Sequence, residues 1–313
     1  MRVSLIVTVK NEAATIGAFL DSVAAQTRCP DEVVIVDGDS TDATLSIVRA
    51  HPLHAVVDCY PGNIAAGRNR AISLATGELI AVTDAGCVLD PQWLERITDL
   101  NGADVVVGGY APIVQSLFDA CQYSLHNLFR SSDNLDRYAI SSRSIAFRKV
   151  VWQELGGYPE WLDFSEDTWF HDRMRASRFT MRMEPGAVVH WRLRPDLKSM
   201  CRQFFLYMEG DGKARQHTKR HILRLMAYGA GILMLLMSLE RPLWLVPLAL
   251  GAGVYLWQPV RNFRRLGAYP LSAKAVLLMA VMLVVVDFGK IFGYLSGLRS
   301  SHASPGDKAR SNI

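Results

Sequence analysis

A chain of 313 residues, half of them hydrophobic, can bury a full α/β core and still leave a long apolar segment for another use. Its formal net charge of +4 is too small and too dispersed for a nucleic-acid-binding face. Five cysteines, an odd number without a C-x-x-C pair, suggest neither a disulfide framework nor a zinc knuckle and fit a reducing compartment.

The opening stretch MRVSLIVTVKNE lacks the longer apolar run of a signal peptide, and its pattern predicts a buried strand over residues 3–9. Ile16, Phe19, Leu20 and Val23 recur at helical spacing, which predicts a helix over 12–26 before a second strand at 32–36. A helix over 42–50 follows, with Ser40 or Thr41 as its expected cap. A short strand at 55–58, a helix at 65–75 and an apolar strand at 79–83 continue the alternation, which predicts parallel βαβ units. In such a sheet Asp37, Asp39 and Asp84, each just past a strand end, converge on one crevice. Beyond a strand at 104–107 the pattern loosens: an amphipathic helix at 113–129, a strand at 144–147, and a helix at 149–155 ended by Gly156 and Gly157.

Several segments carry chemistry. VDGDSTDAT at 36–44 resembles the VDDGSTD segment of family 2 glycosyltransferases, which have the GT-A fold, a Rossmann-like α/β architecture with a mostly parallel sheet. The resemblance extends through KNEAATIGAFLDSVAAQ near the start, GNIAAGRNRAISLATGE at 62–78, TDAGCVLDPQWLE at 83–95 and GGYPEWLDFSEDTWFHDR at 156–173. Together these cover roughly residues 3–192, in the order and spacing of the family.

The resemblance implies a catalytic domain over residues 1–200 that moves a sugar from a nucleotide-sugar donor. Thr8, Glu12, Asp37 and Asp39 are then expected at the nucleotide, with Arg68 approaching it or its phosphates. Asp84 matches the first position of the family's D-X-D motif, which holds the ribose and a divalent metal, Mg²⁺ or Mn²⁺, through the diphosphate. Here the motif reads DAG, so Gly86 supplies no carboxylate, and Cys87 beside it is a soft, poor partner for such ions. His190 ends a strand-like run at 187–189 and, by resemblance, joins Asp84 as a metal ligand, while Arg192, Arg194 and Arg202 are nearby cations for the diphosphate. The SED segment at 165–167 resembles the family's xED motif, making Glu166 and Asp167 the catalytic pair and Asp167 the general base. Set among Trp161, Phe164, Trp169 and Phe170, Asp167 is expected to have a pKa raised by desolvation.

The rest of the chain has another composition. Lys213, Arg215, Lys219, Arg220 and Arg224 make residues 201–224 a basic juxtamembrane segment, which favours the cytoplasmic side of a membrane and anionic lipid. Two apolar blocks, 225–239 and 243–257, are followed by a longer one, 275–298, so that 225–298 reads as a membrane module of two or three helices with a disordered tail at 299–313. Asp287 and Lys290, three apart on one helix face, are expected to pair or to point into protein. The stretch RQFFLYMEGDGKAR lacks the Q-x-x-R-W element of processive family members, which implies single transfers. The expected protein is thus a multi-pass enzyme of the cytoplasmic (inner) membrane in cell-envelope glycan or glycolipid synthesis, with a lipid-linked or membrane-associated acceptor. A nucleotidyltransferase and a catalytically degenerate membrane scaffold are the competing classes; the first loop, VKNEAAT, lacks the Gly-rich basic signature of the former, and DAG is the one feature favouring the latter.

Overall fold

A computed structural model describes residues 1–125, 135 and 140–300. The chain forms two compact units, Met1–Ile113 with Arg130–Arg192, and Val114–Phe129 with Leu193–Ile313.

In the first unit, β1 (Val3–Val9), α1 (Ile16–Ala24), β2 (Glu32–Asp37), α2 (Thr44–Ala50), β3 (Val56–Cys59), α3 (Ile64–Leu74) and β4 (Leu79–Val82) follow the expected alternation. Two short elements that the sequence pattern does not reveal come next, β5 (Cys87–Leu89) and α4 (Trp93–Ile97). After β6 (Val105–Ile113) the chain enters the second unit through α5 (Leu117–Leu125) and later supplies β7 (Ile145–Arg148), α6 (Lys149–Leu155), α7 (Glu166–Ala176) and β8 (Met181–Arg192). The helix expected over 113–129 is described only as far as residue 125.

The eight strands make one sheet in the order β3-β2-β1-β4-β7-β6-β8-β5. The half from β3 to β4 is parallel throughout, as βαβ units require. In the other half β7 runs antiparallel to both β4 and β6, β8 is parallel to β6, and β5 is antiparallel to β8. Strand alternation explains the two apolar layers. Val3, Leu5, Val7 and Val9 face one cluster with Ile16, Phe19, Leu20 and Trp93, while Ile6, Val34 and Val36 face the other with Ile72, Val151 and Phe170. Helix α3 lies close on the sheet because Gly67 has no side chain: a Cβ there would stand 2.9 Å from the Thr8 methyl.

The second unit is helical: α5, α8 (Leu197–Lys213), α9 (Thr218–Ser238), α10 (Leu245–Leu266) after a short turn at Pro242–Trp244, and α11 (Ala273–Ser300). The division expected at residue 200 falls inside α8, whose N-cap Asp196 accepts from the Ser199 amide at 2.7 Å. Where the sequence shows apolar blocks of 15 residues, the helices run through the flanking polar residues. Thr218–Ser238, Pro242–Leu266 and Ala273–Ser300 have 21, 25 and 28 residues and mean hydropathies of 1.5, 1.4 and 2.3, so each is long and apolar enough to cross a membrane. The shortest rises about 30 Å at 1.5 Å per residue.

Helices α8 and α11 meet backbone to backbone. Gly289, Gly293 and Gly297, one turn apart, lie against the carbonyls of Cys201, Phe205 and Glu209, and a Cβ at any of them would press on those oxygens. Asp287, buried on α11, pairs with Lys290 at 3.5 Å, as the spacing predicts, and with Arg224 at 3.3 Å. It also accepts from the hydroxyls of Tyr228, at 3.1 Å, and Tyr255.

Candidate active site

The loops after β1 and β2 are stitched together. The Asn11 amide donates to Ser40 Oγ at 2.9 Å, Thr41 N donates to Asn11 Oδ1 at 2.8 Å, and Glu12 N donates to Thr44 Oγ1 at 2.8 Å. Ser40 and Thr41 are therefore committed to this cross-link and not to the expected cap of α2; Asp42 Oδ1 receives the Thr44 amide at 3.0 Å instead. Asp37 is buried, and its carboxylate accepts from the Ser40 amide at 2.9 Å and the Ser40 hydroxyl at 2.5 Å. Asp39 is exposed at the apex with φ +70°, a left-handed conformation that aspartate tolerates better than most residues. Thr8 lies under Gly67, and the Glu12 carboxylate takes the Thr15 hydroxyl. All five expected nucleotide residues outside Asp84 thus sit at the carboxyl ends of β1 and β2 or on α3, the side where open α/β sheets bind ligands.

Helix α3 organises the centre. Its N-cap Asn63 takes the Ala66 amide at 3.0 Å and donates to the carbonyls of Glu160 and Leu162 at 2.7 and 3.1 Å. Asn69, two turns on, donates to the Tyr158 carbonyl at 2.8 Å and accepts from Trp152 Nε1 and the Tyr158 amide, both at 2.9 Å. The loop leading into α7 is thereby fixed to α3. Between the two asparagines, buried Arg68 donates through Nη1 to Glu166 at 2.6 Å and through Nη2 to Asp84 at 2.9 Å. Ser165 at φ +61° brings the chain into α7, so that Glu166 and Asp167 occupy its first turn, where the helix dipole favours negative charge.

The electrostatics correct one expectation. Burial works against the charge of Asp167, but His171, Arg68 and Arg143 outweigh it, and Asp167 lies below the ordinary carboxylate range. It is Glu166 that burial and the adjacent Asp167 charge push up, to about 7, against the pull of Arg68. Three carboxylates around two guanidiniums leave one negative charge in excess, and the most enclosed carboxyl is the one that takes a proton. Burial pushes His171 down to about 4 and the Cys87 thiol up to about 12, so near neutral pH the former is uncharged and the latter is packing, not a ligand.

Arg143, which no motif singles out, stands beside this centre with Nε 3.6 Å from Asp84 Oδ2 and its guanidinium 5.6 Å from the centre of the Trp191 ring. Each oxygen of Asp84 thus faces a guanidinium. His190 lies on β8 opposite Val88 of β5, and strand alternation turns it to the sheet face opposite Trp191. Gly86 adds no donor, and among the described residues no three His, Cys, Asp or Glu side chains gather as a cation site. With both Asp84 oxygens facing guanidiniums and no carboxylate at Gly86, this donor set does not fit a resident divalent ion. Residues 126–134 and 136–139, in the irregular stretch before β7, lie outside those described.

Comparison with known proteins agrees with this geometry. The family described as Glycosyl transferase family 2 matches residues 4–148. Glycosyltransferase AglE of Haloferax volcanii is 25% identical over 64% of this chain and 70% of its own length. Succinoglycan biosynthesis protein ExoU of Rhizobium meliloti is 31% identical over 46% of this chain and 40% of its own, so this chain spans less than half of that relative. In three dimensions the chain resembles the mannosyltransferase PcManGT from Pyrobaculum calidifontis, solved in complex with GDP-Man and Mn²⁺, with a TM-score of 0.57 and 18% identity over 96% of this chain and 88% of that one. Residues 4–148 match the family 2 glycosyltransferase model, and the first unit has the GT-A fold.

Proposed function

We propose that the protein transfers one sugar per encounter from a nucleotide-sugar donor to a lipid-linked acceptor at the cytoplasmic membrane, as a step in cell-surface glycan or glycolipid synthesis. The observation that carries this reading is the clasp of Arg68 on Asp84 and Glu166 next to Asp167, which joins the donor end and the acceptor end of the site in one charge network. Nucleoside and ribose lie along the stitched loops, against Thr8, Glu12, Asp37 and Asp39, with the diphosphate at Asp84 and its arginines. Asp167, ionised at neutral pH, accepts the proton of the acceptor hydroxyl as its oxygen bonds to the anomeric carbon. The bond from that carbon to the diphosphate breaks, and the nucleoside diphosphate leaves with the electron pair.

A lipid-linked acceptor accounts for the three long apolar helices that accompany the domain in one chain, since an acceptor confined to the bilayer is met most often by an enzyme confined there too. The names of ExoU and AglE, a succinoglycan biosynthesis protein and a glycosyltransferase, support a place in surface glycan assembly. The test is transfer from a panel of radiolabelled UDP- and GDP-sugars into lipid extract by the full-length protein in detergent. Label should enter the organic phase with wild type and not with Asp167→Asn. Label that appears only as free sugar or nucleotide, or equally with both proteins, overturns the reading.

A further inference from the structure

We infer that Arg143 does the work of a divalent cation in this site: it binds the diphosphate of the donor and makes donor binding independent of metal. The inference rests on the donor reading above and specifies how that donor is held.

Four observations carry it. First, the donor set for a cation is missing while a cation is present, because each Asp84 oxygen is already opposed by a guanidinium, Arg68 on one side and Arg143 on the other. Second, the two arginines differ in exposure. Arg68 is buried between two carboxylates, whereas the Arg143 side chain keeps a quarter of its surface open (25%), with its Nε 3.6 Å from Asp84 and its Nη1 donating to Ser141 Oγ at 3.3 Å, so that a charged guanidinium stands at the open edge of the site. Third, Arg143 is held in place by a buried loop. Ser142, fully enclosed, bonds Tyr158 Oη at 2.9 Å and His171 Nε2 at 3.3 Å; Ser144, equally enclosed, accepts from Trp93 Nε1 at 2.8 Å and donates to the Ala187 carbonyl at 3.0 Å. With its neighbours pinned on both sides and its guanidinium over Trp191, Arg143 reaches the site pre-oriented. Fourth, the missing carboxylate is not imposed by packing, since a Cβ at Gly86 meets nothing within 4 Å. Relative to a D-X-D pattern the site lacks one carboxylate, which removes a negative charge that a cation would otherwise offset.

The test uses the full-length protein in detergent, with calorimetric titration of UDP and GDP and of the corresponding monophosphates, in EDTA and in Mn²⁺. Wild type should bind one of the diphosphates equally well in both buffers. Arg143→Gln should weaken that binding by about tenfold or more while changing the monophosphate by much less, because a lost charge-assisted contact falls on the added phosphate. Arg143→Lys should recover part of the loss. Gly86→Asp, placed in open space, should make binding depend on Mn²⁺. Binding that requires Mn²⁺ in wild type, or that survives Arg143→Gln, overturns the inference and leaves the donor reading standing. A parallel fall in mono- and diphosphate affinity assigns Arg143 a structural role and also overturns it. Absence of binding by any nucleotide in either buffer overturns the donor reading and the inference with it.

Discussion

Each unit buries a small cluster of charges, and the two clusters are built on opposite plans. In the first unit one arginine, Arg68, serves two carboxylates, and the Asp84 side chain remains 28% open. In the second, one carboxylate, Asp287, is enclosed by two cations and two tyrosyl hydroxyls, with its side chain 2% exposed. A centre with more carboxylate than cation, open at one end, can exchange partners when a ligand arrives. A carboxylate whose every neighbour is a donor has no such capacity and acts as a cross-link between helices. Burial of charge alone therefore does not mark a reactive site; the balance of donors and acceptors and the open edge do.

The sharpest way to break this contrast is at Asp167. Asp167→Asn should lower turnover by on the order of 10² to 10⁴ while leaving nucleotide affinity within about threefold, since only proton acceptance is lost. Single-turnover transfer together with calorimetry measures both, and unaltered turnover would remove Asp167 from the mechanism. Next in size is Arg68→Ala, which leaves buried Glu166 without its guanidinium and Asp84 with Arg143 alone, and should cost about 3–5 kcal/mol in denaturant stability. The matching change in the other unit, Arg224→Ala, leaves Asp287 with Lys290 and both tyrosines and should cost less, about 1–3 kcal/mol, with nucleotide binding intact. Equal costs for the two arginines would show that the clusters do not differ as described.

The smallest effect depends on pH. His171 has its pKa lowered by burial to about 4 from an ordinary 6.5, so its contribution to stability is present above pH 6.5 and is lost as pH falls toward 4. Glu166, raised to about 7 from 4.5, has the opposite sign: its contribution is complete below pH 4.5 and is lost as pH rises through about 7. His171→Gln, which cannot take up the proton, should therefore gain on wild type by about 2 kcal/mol between pH 7.5 and pH 5, read from paired thermal melts. A difference that does not vary with pH would mean that His171 is not held neutral in the folded protein.

The parallel half of the sheet was readable because each βα unit carries its own local signals, apolar runs for β1, β2 and β4 and helical spacing for α1 and α3. The other half depends on long-range pairing. β5 has three residues and α4 five, too few to show a period, and nothing local indicates that β7 runs antiparallel between β4 and β6. The site divides along the same line. Arg68, Asp84, Glu166 and Asp167 stand in motifs and do meet, whereas Arg143 comes from an irregular stretch and is placed only by the buried bonds of Ser142 and Ser144. Asn63 and Asn69 lay within a quoted motif, yet their role in fixing the loop before α7 depends on residues nearly a hundred positions away. The pKa order of Glu166 and Asp167 was hidden for a similar reason. Apolar neighbours in sequence suggest desolvation, but the charges that outweigh it come from His171 one turn along α7, from α3 and from the segment before β7.

The glycine row on α11 has a mechanical consequence. With Gly289, Gly293 and Gly297 seated on the carbonyls of α8, no side chain stands between the two helices at these three points to act as a roller, and neither helix can turn about its own axis there without forcing the backbones apart. They form a two-helix beam. A push on α8 at any point is carried into α11 along three contact points spread over two turns, instead of being absorbed by side-chain rearrangement. Changes to either helix are constrained in the same way: a replacement on α8 that shifts its backbone must be matched on α11, so the pair is expected to drift together in sequence as it moves together in space.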